Sequence, residues 1–444
     1  MQVSESKKVN FLEKTFKLSE HNTNVKTEII AGITTFMTMA YILVVNPNML
    51  SEAGMDKNAV FTATAIASAI GSIIMGLLAN FPIALSSGMG LNAFFAYTVV
   101  LGMGYSWQFA LCAVLIEGLI FILLTITNVR EKIIECIPAG LKHAVTAGIG
   151  LFIAFIGLSN AGIVANGATI LELGNISDPT VLLSIAGLII ISVLLVKNVK
   201  GAFLLGMIIV TAIGVVAGLV ALPTSIVSSV PSLEPVLFEA LSVAPSEIFS
   251  LNMVVVVFTF LFVDLFDTVG CLLGVASKGN LLDKYGKLPN AKKALLADAV
   301  ATTSGALLGT STVTAYVESA AGIGEGGRTG LTAVTTGVMF LLSLFFAPVF
   351  TAIPTQATAP VLILVGVMMC TSLVKIDFED FTNAIPAFLT IVMMPLAYSI
   401  ADGIIFGIIS YTILKIAAKK YDEVNLSLIF LSILFILKFV LLGH

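Results

Sequence analysis

Five carboxylates lie inside long apolar stretches of this sequence, where an ionisable side chain is costly. They are Glu117, Asp264, Asp267, Asp298 and Glu318, and no lysine or arginine lies at comparable depth. A carboxylate in hydrocarbon costs at least a few kcal/mol, so it is retained where it faces a packed or hydrated interior, usually for function. Acids without matching bases favour a pathway for protons, cations or neutral N–H donors over one for anions. This pattern indicates transport.

Asp264 and Asp267 are the closest pair of these acids, in the stretch FTFLFVDLFDTVG (258–270). Three residues apart on a helix, they share a face with Thr268. Two carboxylates this close in a low dielectric are not expected to be charged together, so one should hold a proton near neutral pH. A shared proton suits hydrogen bonding to a ligand or proton coupling. The alternative is that one acid only bonds neighbouring helices.

Two segments rich in small residues are poor material for continuous spanning helices. They read PIALSSGMGLNAFFAY (82–97) and GTSTVTAYVESAAGIGEGG (309–327). Serine and glycine weaken the first, and β-branched residues favour extended backbone in the second. We therefore expect extended backbone leading into a half-helix in both, with the two meeting near the membrane midplane in a buried or cavity-lining position. The alternative is close packing of ordinary helices through small residues.

Glu318 and Asn92 lie in these two segments. Glu318 would benefit from the positive end of the helix dipole and would oppose Asp264 as an acceptor for a ligand, unless it merely caps the helix. The Asn92 amide both donates and accepts hydrogen bonds, so it could contact ligand or tie the broken backbone. Asp298 and Glu117 are weaker candidates, because structural bonding to the unwound segments is at least as compatible with their positions.

The composition is that of an integral membrane protein. Of 444 residues, 58% are apolar and only 11% are charged, whereas a soluble domain carries about 25% charged residues. Repeated apolar stretches of about 17 to 25 residues predict spanning helices. No GxxxxGK[ST] loop occurs, no cleavable signal peptide is visible, and the four cysteines lack metal-ligand spacing. We expect no cofactor, no metal and no nucleic-acid partner.

Hydropathy predicts fourteen passages, and the charges support this count. With both ends of the unit in the cytoplasm, all basic residues except Lys57 and Lys438 fall on the cytoplasmic side. The proline-rich outer segment 222–251 divides the passages into seven plus seven, so the second half must be inverted, and the two interrupted segments occupy equivalent places. Such a pair is the best sequence pointer to a transporter binding site. Residues 425–441 are short for a span, and an interfacial helix is favoured over a fifteenth passage.

Several stretches resemble the nucleobase/cation symporter family of xanthine and uracil permeases, and more narrowly its adenine–guanine–hypoxanthine branch. The matching stretches are AGITTFMTMAYILVVNP (31–47), GMGLNAFFAY (88–97), FLFVDLFDTVG (260–270), ALLGTSTVTAYVESAAGIGEGGRTGLTAVTTG (306–337) and MMPLAYSIADGI (393–404). The resemblance implies that Asp264 and Glu318 bind substrate, that Asn92 and Gly90 lie beside the base, and that Asp267 is linked to protonation.

By the same resemblance, Asp298 supports proton coupling, and we include Val317 and Ser319, which flank Glu318, in the expected substrate site. The resemblance also implies an all-α membrane protein with a core domain and a gate domain, commonly a homodimer. The expected parts are a cytoplasmic N-terminal segment (1–26), the core (27–128 and 252–350), the gate (143–222 and 357–418) and the C-terminal apolar helix (425–441).

The resulting hypothesis is a secondary active transporter in the cell membrane that imports adenine, guanine or hypoxanthine by proton symport through alternating access. Flat purine rings offer N–H donors to carboxylates and acceptors to backbone N–H groups. The alternatives are an anion transporter or a channel of the same fold. An anion site predicts a base at the half-helices, where this sequence has acids. An intramembrane hydrolase has little support, because no histidine lies at depth beside the serine-rich segment.

Overall fold

The computed structural model describes residues 11–127, 138–167, 170–223, 225–283 and 288–442. Residues 1–10 of the expected N-terminal segment lie outside this part. So do six bases that the charge pattern assigns to the cytoplasm, Lys7, Lys8, Arg130, Lys132, Lys284 and Lys287. The side chains of Lys278 and Lys438 are also outside the description.

The described chain is mostly helical, with four short strands. In the first half the elements are α1 (Phe11–Phe16), α2 (Val25–Met39), α3 (Ile42–Glu52), α4 (Lys57–Ile74), β1 (Leu85–Ser87), α5 (Met89–Ala93), α6 (Trp107–Ile126), α7 (Ala139–Asn160), β2 (Val164–Ala165), β3 (Glu172–Leu173), α8 (Pro179–Val196) and α9 (Ala202–Val216). Single π-helical stretches continue α4 over Met75–Ala79 and α5 over Phe94–Gly102.

The second half has the elements α10 (Pro245–Ile248), α11 (Leu251–Lys278), α12 (Ala291–Leu308), β4 (Val313–Ala315), α13 (Ser319–Gly324), α14 (Gly330–Ser343), α15 (Ala347–Thr351), α16 (Thr355–Cys370), α17 (Phe381–Leu396), α18 (Ile400–Ala417) and α19 (Leu426–Leu442). A 3₁₀ turn over Thr371–Lys375 extends α16. Several helices start at a side chain that accepts a hydrogen bond from a free backbone N–H, namely those of Asn24, Asp56, Ser106, Ser250 and Thr329.

Nine helical stretches within the described residues are long and apolar enough to cross a membrane, and three shorter apolar helices accompany them. The chain is therefore a multi-pass membrane protein. The three shorter ones are Met89–Gly102, Ala202–Val216 and Phe381–Leu396. Two further expected passages coincide with α12 and with the β4–α13 segment, so the count of fourteen stays a prediction.

Glycines allow the helices to pack closely. A Cβ on Gly330 would lie 1.9 Å from the carbonyl oxygen of Gly76, so the start of α14 is in direct backbone contact with the end of α4. A Cβ on Gly366 would lie 2.3 Å from the carbonyl oxygen of Gly150, which joins α16 to α7. Small residues at such contacts let backbones approach, and van der Waals packing then drives association in lipid.

The C-terminal helix α19 packs against the bundle through one face, and its opposite face is exposed. Ser432 Oγ donates a hydrogen bond to Thr412 Oγ1 at 2.8 Å, and the Phe435 ring meets the Phe258 ring of α11 with centroids 5.4 Å apart. Thr412 and Ser432 lie a similar distance from the turn between α18 and α19, so the two helices run antiparallel. The interfacial position expected from the length of the segment stays a prediction.

Candidate functional site

The two interrupted segments meet as a pair of short strands. β1 and β4 are antiparallel, with Leu85 opposite Ala315 and Ser87 opposite Val313. The β-branched residues of 309–327 supply the extended backbone. Hydrogen bonds from Gly88 N to Thr312 O at 3.0 Å and from Tyr316 N to Ala84 O at 3.1 Å prolong the pairing. Each strand is followed within a few residues by a short helix, α5 or α13, so both helices start beside the ladder.

Buried hydroxyls and amides from neighbouring helices hold this ladder. The Asn46 amide donates to Thr310 Oγ1 at 2.9 Å, and the hydroxyls of Ser68 and Ser86 share a hydrogen bond at 2.6 Å. Thr312 Oγ1 donates to Glu117 Oε2 at 2.7 Å. Buried polar groups need such partners, because each one left unpaired costs about 1–3 kcal/mol. Glu117 thus has the structural bonding that was one of its two predicted roles.

A cavity of about 400 Å³ opens beside the ladder. This volume is within the range of small-molecule sites. Its inner wall comes from the two interrupted segments and from α11, and its opposite wall from α7 and α16. The lining residues are Tyr41, Gly88, Met89, Gly90, His143, Thr146, Asp267, Gly270, Cys271, Thr314, Ala315, Tyr316, Val317, Glu318, Val365, Met368, Met369, Thr371, Ser372 and Lys375.

Four of the predicted site residues line this cavity, namely Asp267, Glu318, Gly90 and Val317. The Tyr41 hydroxyl donates a hydrogen bond of 2.7 Å to Glu318 Oε1. Val317 is 51% exposed, which fits a side chain at a cavity wall. Two carboxylates and the two phenols of Tyr41 and Tyr316 therefore surround a space large enough for a small ring.

Asp264 and Asp298 lie behind this wall. Both are fully buried, and Thr268 Oγ1 lies within hydrogen-bond distance of both, 3.1 Å from Asp264 Oδ1 and 2.8 Å from Asp298 Oδ1. The same hydroxyl lies 2.6 Å from Thr314 Oγ1 of β4. One hydroxyl has one proton to donate, so it cannot donate to both carboxylates at once. The cluster links α11 and α12 to the strand that leads to Glu318.

Asn92 and Ser319 are fully buried and do not line the cavity. Ser311 Oγ donates to Asn92 Oδ1 at 2.6 Å, so Asn92 ties one interrupted segment to the other. The Asn92 Nδ2 has no hydrogen-bond partner among the described residues. Ser319 Oγ accepts from Ala84 N at 3.0 Å and holds the start of α13 against the β1 side.

Tyr41 and Glu28 are the main polar residues that the sequence reasoning missed. Tyr41 follows α2 and looked like an ordinary aromatic residue. Glu28 is fully buried and accepts from the backbone N–H groups of Arg328, at 2.8 Å, and Thr332, at 3.2 Å, at the start of α14. The sequence signal that could have found Glu28 is its position at the edge of the first apolar stretch. It was missed because a carboxylate close to a lysine looks like an exposed ion pair.

One end of the cavity reaches residues expected at the cytoplasmic side. His143 and Lys375 line this end. Toward the opposite face, Asn160 Nδ2 donates to Glu52 Oε1 at 3.2 Å and to the Tyr97 hydroxyl at 3.3 Å. The Tyr398 ring packs edge-on against the ring of Tyr97 nearby.

Comparison with known proteins gives a consistent result over most of the chain. Residues 26–406 match the family model Xan_ur_permease, described as a permease family. The chain is 49% identical over 437 residues to the guanine/hypoxanthine permease PbuG of Bacillus subtilis (strain 168), covering 96% of this chain and 99% of that protein. It is 46% identical over 430 residues to the adenine permease AdeP of Escherichia coli (strain K12), covering 97% and 96%.

The fold is similar to that of a solved transporter with little sequence similarity. The transmembrane domain of the cyanobacterial bicarbonate transporter BicA aligns with a TM-score of 0.65 at 16% identity. The alignment covers 86% of this chain and 97% of that domain. At this identity the similarity concerns the fold alone.

Proposed function

The chain belongs to the xanthine and uracil permease family, and on that premise we propose that it carries purine nucleobases across the cell membrane. Permeases are transporters and not enzymes. The names of the guanine/hypoxanthine and adenine permeases, at 49% and 46% identity over nearly the whole chain, support the purine class. The observation that carries the proposal is the cavity beside the strand pair, with Asp267 and Glu318 in its wall.

The site binds the ring through acceptors on one side and backbone on the other. The Glu318 and Asp267 carboxylates accept from ring N–H or amino groups, and the backbone around Gly90 meets the opposite edge. Asp264, Asn92 and the residues behind the wall keep the strand pair and α11 in register. Hydrogen-bonding sites of this kind reject ligands that leave a buried partner unpaired.

The transport cycle is proton symport by alternating access. The chain crosses the membrane in two inverted halves of seven, with a core of 27–128 and 252–350 and a gate of 143–222 and 357–418. The cavity reaches residues expected at the cytoplasmic end, His143 and Lys375, and the hydrogen bond between Asn160 and Tyr97 lies toward the other face; both support an inward-open state. Asp267 and the Asp264–Thr268–Asp298 cluster are the groups that carry or sense the proton.

Anion transport is the competing function, because BicA has the same fold. The carboxylates of Asp267 and Glu318 in the inner wall oppose it, since an anion there would meet like charges at short range. No described base lines the inner part of the cavity.

The proposal is tested by uptake of radiolabelled hypoxanthine and adenine in cells that lack their own permeases. Glu318→Gln removes a charged acceptor, and a hydrogen bond to a charged group contributes about 1.5–3 kcal/mol. Affinity should fall by about 10- to 100-fold. Glu247→Gln, an exposed acid of α10, is the matched control. Competition by all natural bases shows which base is preferred, and repeating uptake with an uncoupler separates symport from passive flux. Normal uptake by Glu318→Gln would show that Glu318 is not part of the substrate site.

A further inference from the structure

The cavity has two chemically different ends. Asp267 and Glu318 line one end, and His143 and Lys375 line the other, together with the hydroxyl-bearing Thr146. Within the described residues neither His143 nor Lys375 makes an ion pair with an acid. The two basic groups are close enough to act on each other electrostatically. Two neighbouring bases without an acid partner at a cavity mouth form a site for an anion.

Helix α7 gives the distance between the two ends. His143 and Thr146, three residues apart, are neighbours on the surface of this helix and both line the cavity, and Ile149 lies a further three residues along the helix. Ile149 lies against Gly90 at the inner end, because a Cβ on Gly90 would be 2.6 Å from Ile149 Cγ2. Six residues at 1.5 Å rise separate Ile149 from His143 by about 9 Å. A pentose that links a ring to a phosphate bridges a gap of this order.

We propose that the inward-open cavity also binds purine nucleoside monophosphates from the cytoplasm, with the ring at Glu318 and the phosphate at His143 and Lys375. This inference rests on the proposed purine site. A lysine ammonium makes short, charge-assisted hydrogen bonds to phosphate oxygens, and an imidazole N–H donates a further hydrogen bond to them. The phosphate cannot advance toward Asp267 and Glu318, because like charges repel there. The nucleotide therefore occupies the cavity without being transported, and it inhibits uptake of the free base from the inside.

A general excess of lysines on the cytoplasmic side gives a different expectation. In that case Lys375 does not hold the phosphate at a defined place, and other cytoplasmic lysines contribute as much to nucleotide binding as Lys375 does. Lys197, exposed at the end of α8, does not line the cavity and serves as the matched control.

The test is displacement of radiolabelled hypoxanthine from purified protein in vesicles of neutral phosphatidylcholine, so that no anionic headgroup competes. Guanosine 5′-monophosphate should displace the base at about tenfold lower concentration than guanosine, because the phosphate adds charge-assisted contacts. Lys375→Gln should remove this advantage and change hypoxanthine binding less than about twofold, whereas Lys197→Gln should retain it. His143→Gln should weaken the nucleotide in the same direction.

Three results would overturn the inference. Guanosine and its monophosphate could compete equally, inorganic phosphate could displace the base as well as the nucleotide does, or Lys197→Gln could act like Lys375→Gln. Absence of hypoxanthine binding to the unmodified protein would instead refute the proposed function itself, so the two failures are distinguishable.

Discussion

Gly90 offers a direct test of how the interrupted segment meets the wall across the cavity. A Cβ at this position would lie 2.6 Å from Ile149 Cγ2, closer than real Cβ contacts. Cγ2 is bonded directly to the Ile149 Cβ, so rotation of the end of the side chain cannot move it away. Overpacking of this kind costs about 1–3 kcal/mol.

Because Gly90 belongs to the proposed core and Ile149 to the proposed gate, Gly90→Ala destabilises this inward-open arrangement selectively. A difference of 1–3 kcal/mol between two conformations changes their ratio by about 5- to 150-fold. We expect the initial rate of hypoxanthine uptake to fall by a factor in this range, with a normal amount of protein at the cell surface. Ile149→Ala removes Cγ2, so the double variant should recover most of the rate.

Gly140→Ala is the control, since Gly140 lies on the same helix as Ile149 and a Cβ there would meet nothing within 4 Å. The single variant Ile149→Ala completes a double-mutant cycle, which gives the interaction energy between positions 90 and 149. Uptake by Gly90→Ala at the unmodified rate would refute the reasoning. A double variant as slow as Gly90→Ala would do so too.

Two further predictions concern stability. Glu28→Gln leaves at least one donor at the start of α14 without its carboxylate acceptor, which costs about 1–3 kcal/mol; the unfolding midpoint of purified protein should fall, whereas the exposed Glu20→Gln should leave it unchanged. The Lys420 ammonium donates to Asp380 Oδ2 at 2.6 Å and holds the pKa of that carboxyl below its ordinary 3.8. A carboxyl whose pKa is lower in the folded than in the unfolded state stabilises the folded protein at pH values above its unfolded-state pKa. This stabilisation is lost as the pH falls through the folded-state pKa. Asp380→Asn should therefore lower the unfolding midpoint at pH 7, and its difference from the unmodified protein should shrink below about pH 4; a difference that grows on acidification would contradict the assignment.

Of the residues that the sequence predicts for the site, Asp267, Glu318 and Gly90 line one cavity. The sequence could not tell which acid of the α11 pair faces that space. Residues four apart on a helix lie about 40° apart around the axis, and residues three apart about 60°. Asp264 therefore aligns better with Thr268 than with Asp267, and its carboxylate joins the Thr268 cluster.

Long-range partners were the part that sequence reasoning missed. Tyr41 and Glu318 are separated by 277 positions, and no local pattern links them. Lys415 was expected at a cytoplasmic helix end, yet its side chain is fully buried and pairs with Glu423 at 2.6 Å. A hydropathy value describes one residue and not its neighbours in space. A lysine that pairs with an acid of a later turn, as Lys415 does with Glu423, therefore has the same value as a lysine in water.

The tail helix α19 has a mechanical consequence. Its hydroxyl contact to α18 and its aromatic contact to α11 connect it to a helix of each proposed domain. Any rocking of one domain must shear these two contacts, which are a single hydrogen bond and an edge-on ring pair and can re-form after a small slip. In the proposed cycle, α19 therefore stays in contact with both proposed domains through two weak interactions. A bulky fusion at the end of α19 is therefore expected to hinder this slip.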